Sequence, residues 1–115
     1  MLLTNVMIDA PPPAFTYLSC SLETKRGAEA IAVIVDEANQ MVTISSPKYG
    51  LTNRGVGVFD ANSVTINLTS SAAYTTYRID RTTLAITREF HLFAAKPSWD
   101  SGVCSVNTAP RERKF

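Results

Sequence analysis

Histidine is nearly absent from this chain, with His91 the only one among 115 residues. A lone histidine cannot form a His pair around a metal, and it leaves nucleophilic catalysis with a single candidate base. In a strand it would share a face with Glu89 and Phe93, which reads as a solvent-side position. No GxSxG elbow, HExxH helix or EF-hand spacing occurs either. The sequence therefore reads as a non-enzyme, with no catalytic, cofactor-binding or metal residues and no cofactor.

Charge is also scarce, at 18% of residues and a net +1, against about 25% charged in an average globular chain. So weak a net charge gives no general attraction to nucleic acid or to an anionic surface. No apolar run reaches the roughly 18 residues of a membrane helix, so no membrane insertion is expected. The start, MLLTNVMIDAPPPAF, has no basic n-region, and Thr4, Asn5 and Asp9 break its apolar stretch, so no signal peptide is read. There are two cysteines, in no CxxC spacing. A Cys20–Cys104 bridge would close a loop contributing about 4 kcal/mol in the chain-entropy model. Without an export signal, a reduced pair is the default.

What is present is β-branched and alternating. Pro11, Pro12 and Pro13 form a stiff spacer, which divides the chain into an arm and spacer (1–13), a β domain (14–106) and a basic tail (107–115) with Arg111, Arg113 and Lys114. Leu18, Cys20 and Leu22 alternate onto one face, as do Val64, Ile66 and Leu68. EAIAVIVD (29–36) is apolar and β-branched enough to read as a strand, with a short helix as its alternative. Residues 48–55 read as a loop, and the signal weakens after Ala95.

DEANQ, DANS and DRTT each place an aspartate where a strand ends, positioned to accept backbone N–H groups two or three residues on. Three such turns predict an antiparallel meander. For DRTT, a four-residue loop of the common hairpin type would set Ile79 opposite Leu84 and Tyr77 opposite Ile86, with Asp80 capping the turn and Arg81 pointing to water. Arg88 then falls on the apolar face, opposite Thr75, which reads as a rim or bulge position. GVGVF (55–59) lacks the third glycine of a phosphate loop, and its glycines read as a strand thinned to admit Ile66 and Leu68.

The expected fold is all-β, a small antiparallel sandwich or incomplete barrel of about seven strands. The expected core is Leu18, Leu22, Ile34, Val42, Ile44, Phe59, Val64, Ile66, Leu68, Tyr77, Ile79, Leu84, Ile86, Phe90 and Leu92.

LSC (18–20), YRIDRTTL (77–84) and GVC (102–104) together resemble a group of short, uncharacterised β-rich proteins of Gram-negative bacteria and their phages. Those proteins share a Cys near the N-terminus, a Tyr-x-Ile-Asp-Arg-x-Thr block and a terminal Gly-x-Cys. The resemblance covers Phe15 to Val106 and brings no catalytic residues. It implies a small β-sheet protein and, as in exported relatives, a Cys20–Cys104 disulfide. This chain departs from them in lacking a signal and in adding the arm, which points to a phage or prophage member.

The function expected is a non-enzymatic protein-interaction module, either a virion accessory subunit or a small host-directed effector. Its partner would be another protein or further copies of itself, and its location the virion or host cytoplasm in preference to the periplasm. Candidate interaction residues are Leu2, Leu3, Val6 and Ile8 of the arm, with Arg81, Arg88 and Trp99. The alternative is a small-ligand-binding barrel of the bacterial envelope, with aromatic residues at its mouth.

Overall fold

Alternating apolar and polar residues with Asp-led turns generate eight antiparallel strands in the computed structural model, which describes residues 15–93 and 95–107. They are β1 (Phe15–Thr24), β2 (Gly27–Asp36), β3 (Met41–Ser46), β4 (Leu51–Phe59), β5 (Ser63–Thr69), β6 (Ala73–Asp80), β7 (Ala85–Leu92) and β8 (Ser98–Asn107). Each pairs with the next, and β8 returns to β1, so the sheet closes into an up-and-down barrel. The all-β reading holds, but the fold is a closed barrel of eight strands instead of a sandwich or incomplete barrel of about seven. The arm residues Leu2, Leu3, Val6 and Ile8 and the tail beyond Asn107 lie outside the described residues.

Two strands are only partly legible in the sequence: residues 51–55, which read as loop, are the first half of β4, and β8 runs from Ser98 to Asn107 where the signal weakens. The inward positions of β4 include Gly55 and Gly57, so its alternation carries little apolar signal before Phe59. A Cβ on Gly57 would meet Val42 Cγ2 at 2.9 Å, and one on Gly55 would meet Ile66 and Leu68 at 3.4 Å. The glycines thus make room for large neighbours, as their spacing predicted. β8 buries little besides Cys104 and is held by its pairing with β1 and β7.

EAIAVIVD is a strand, not a helix, and Ile31, Val33 and Val35 point inward. Ile34 therefore belongs to the outer wall, a correction to the expected core. The inward position preceding Ile31 is Glu29, whose charge disguised the strand's parity. Phe90 and Leu92 also leave the expected core, since both are substantially exposed at one end of the barrel.

All three aspartates cap their turns. Asp36 accepts from the Asn39 N–H at 3.2 Å, Asp60 from those of Asn62 and Ser63, and Asp80 from those of Thr82 and Thr83. The DRTT loop, however, is longer than expected. Leu84 takes φ 63° and donates its N–H to the Asp80 carbonyl at 2.9 Å. The register then shifts by two residues, with Ile79 opposite Ile86 and Tyr77 opposite Arg88. A shift of two preserves the face, so parity survives while every partner changes.

Connectivity sorts the turns into two unlike ends. The three Asp turns share one end, where Arg81 does not point to water. Its guanidinium reaches Glu37 at 2.8 Å and the Asp60 carbonyl at 3.2 Å, lacing the turns together. Below them lies the apolar core of Leu18, Val33, Val35, Val42, Val64 and Ile79. The opposite end, bounded by the β1–β2 turn and the 3-10 turn Pro47–Tyr49, is open.

Cys20 and Cys104 are directly opposite each other in the β1–β8 seam, and their sulfurs are bonded at 2.00 Å. The pair is thus a disulfide and not the reduced thiols taken as the default from the missing export signal. It fastens the contact on which barrel closure depends.

Candidate functional site: the barrel mouth

The open end is a cavity of about 890 Å³. Eight-stranded barrels are just wide enough to be filled by their own side chains or to hold one small ligand. Here the interior is filled at the Asp-turn end and vacated at the other. Ile44, Leu68, Phe90 and Leu92 form apolar walls, while Tyr49, Leu51 and Trp99 stand at the rim.

The floor is built around Arg88. Inward parity on β7 carries it into the barrel, above Ile66 and Ile86, both of which are fully buried. Its Nη1 and Nη2 donate to the two carboxylate oxygens of Glu29 at 3.2 and 3.1 Å. Its Nε and Nη2 donate to Asp100 Oδ2 at 3.1 and 2.7 Å. Side-chain exposures are 15% for Arg88, 7% for Glu29 and 22% for Asp100. Ser46 completes the network, donating its hydroxyl to Glu29 Oε2 at 3.1 Å.

The triad answers the puzzle of a charge on the apolar face. A guanidinium matches carboxylates through parallel N–H groups, and its aliphatic stem covers the core beneath. Burial acts to lower the Arg88 pKa, but hydrogen bonds to Glu29 and Asp100 more than offset it, and the net shift is upward. The Arg88 hydrogen bonds hold Glu29 below its ordinary range despite its burial. One guanidinium faces two carboxylates, so the formal charge of the floor is −1. Asp100 Oδ1 has no hydrogen-bond partner among the described residues.

The sequence-derived candidates separate. Arg88 lies at the mouth's floor and Trp99, 64% exposed, at its rim. Arg81 is at the far end, engaged in the turn lacing. Glu29 and Asp100 were not singled out by sequence. Glu29 was visible as a charge opening an apolar strand, and Asp100 was visible only once β8 was known to be one.

His91 is outside the barrel, where it stacks on Tyr74 with ring centroids 4.8 Å apart and bonds to the Tyr74 hydroxyl at 3.1 Å. Among the described residues, no three His, Cys, Asp or Glu side chains gather as a metal site would need. Nor is any helix there long and apolar enough to cross a membrane. No family model, curated protein or solved structure matches the chain.

Proposed function

We propose that this chain is a non-enzymatic binding protein that takes a small amphipathic molecule into its open barrel mouth. The observation that carries this reading is the difference between the two ends. One is packed and laced shut by Arg81, while the other opens a cavity of about 890 Å³ between apolar walls and a charged floor. That volume falls within the range of roughly 300–1,000 Å³ typical of ligand pockets, as does the pattern of apolar walls with a few placed polar groups. Both mouth carboxylates are bonded to Arg88, and Glu29 is held ionised. Acid–base catalysis favours the opposite, a group tuned toward neutrality.

The test is saturable binding of a fluorescent apolar probe, paired with organic extraction of the purified protein to detect a retained ligand. Phe90→Arg, which places a charge on the apolar wall, should abolish probe binding while leaving the β-sheet circular dichroism intact. Undiminished binding by that variant would remove the mouth from consideration.

A second reading is a protein-interaction module, whether virion accessory or host-directed. Its support is Val56 and Val58 on the outer wall of β4, 70% and 65% exposed. Strand addition at an open edge does not support it, because the described sheet closes on itself. Light scattering on the chain with and without residues 1–13 tests it, since an assembly built through the arm should fall apart on deletion. The Cys20–Cys104 disulfide favours an oxidising location, the periplasm or a virion surface, over the host cytoplasm.

A further inference from the structure

We infer that the mouth selects ligands whose buried end is a protonated amine on an apolar body. The inference rests on the ligand reading above and adds the head group. Its first element is depth. A ligand lying against Leu68 and Phe90 ends on Arg88, Glu29 and Asp100, so a hydrocarbon end would strip those charges of water without replacing its hydrogen bonds. The buried end must therefore be polar.

Its second element is the sign of the charge. Arg88 already directs its N–H groups to Glu29 and Asp100, with four donor contacts between 2.7 and 3.2 Å. It has little left to offer an incoming carboxylate or phosphate. Two carboxylates against one guanidinium leave the floor one negative charge in excess. Oδ1 of Asp100, without a hydrogen-bond partner among the described residues, is an acceptor still open, and its side chain is 22% exposed. An ammonium group supplies both the missing positive charge and N–H donors for that oxygen.

Phe90, on the inward face of β7 next above Arg88, lines the same wall, and aromatic faces attract cations further. The opposing charges are Lys25 and Arg26 in the exposed β1–β2 turn and Lys48 in the 3-10 turn, which acts on Glu29, and all three stand at the open end. There, water and salt screen them far more than they screen the half-buried floor.

The chain's single tryptophan, Trp99, stands at the rim and reports occupancy by its fluorescence. The experiment compares octylamine, 1-octanol and octanoate at neutral pH, which share a chain length and differ in head group. Binding is read by Trp99 emission and by calorimetry. A charge-assisted hydrogen bond predicts that octylamine binds about tenfold to a hundredfold more tightly than 1-octanol, with octanoate weakest. Asp100→Asn should bring octylamine down to the level of 1-octanol.

Should Asp100→Asn not fold, the order of the three head groups on the unmodified protein decides the matter. If 1-octanol or octanoate equals or exceeds octylamine, the head-group inference is overturned and the mouth stands as a binding site. If none of the three produces a saturable signal, the ligand reading falls with it.

Discussion

Replacing Arg88 by glutamine removes the cation from the floor while keeping a side chain of similar reach. Glu29 and Asp100 then lose the one cation bonded to both of them, and Glu29 is 7% exposed. Removing one partner of a buried ion pair costs about 3–5 kcal/mol. Because Asp100 retains some contact with water, the lower end of that range, about 3 kcal/mol, is the appropriate expectation. That is a large share of the 5–15 kcal/mol stabilising a typical domain. At about 4–8 °C per kcal/mol, the melting temperature should fall by more than 10 °C.

The damage comes from uncompensated charge, so neutralising the carboxylates should relieve it. The triple variant Glu29→Gln, Arg88→Gln, Asp100→Asn should regain at least half of the loss, because three amides can bond to one another. Guanidinium chloride unfolding followed by circular dichroism measures both variants. A single variant costing less than about 1 kcal/mol, the scale of a surface pair, would refute the reasoning. A triple variant no more stable than the single would do the same.

Reducing the disulfide, or replacing Cys20 and Cys104 with alanine, should lower stability by about 4 kcal/mol in the chain-entropy model, read as a reduced denaturant midpoint. Gly102→Ala should cost about 3 kcal/mol or more, since its Cβ would lie 1.8 Å from the Ser21 carbonyl oxygen. Amide exchange should then quicken in β1 and β8 ahead of the other strands. Acid should destabilise the barrel through Glu29, Asp60 and Asp80, whose pKa values lie below the ordinary 4.5 and 3.8. The Arg88 hydrogen bonds account first for Glu29, and backbone N–H bonds for the two aspartates. Their contribution is complete above those ordinary values and is lost as pH falls through the lower folded ones. Melting temperature should hold from neutrality to about pH 5 and decline below it, less steeply in Arg88→Gln, where Glu29 no longer has its main stabiliser.

Much of the fold could be read from local pattern. VTINLT shows its buried face by strict alternation, and the Asp-led turns announce themselves because one side chain satisfies backbone groups only two or three residues away. Closure was not legible. It depends on β8, whose inward positions include Ser98, Asp100 and Gly102, small or charged residues that no hydrophobic pattern marks. The first half of β4 reads as loop for a related reason, since Gly55 and Gly57 are inward but present no side chain.

The site was half legible. Arg88 stood out as a charge on the wrong parity, but its partner Glu29 lies 59 residues away on a strand whose parity was misassigned. A triad drawn from β2, β7 and β8 becomes visible only when the register of all eight strands is known.

The most direct test of the barrel mouth as a binding site is an amide and indole chemical-shift map of the folded protein titrated with octylamine. Shifts should concentrate on Ser46, Leu68, Phe90, Asp100 and the Trp99 indole, leaving the Asp60 and Asp80 turns unmoved. Shifts gathered on Val56 and Val58, or spread evenly over both ends of the barrel, would contradict the account.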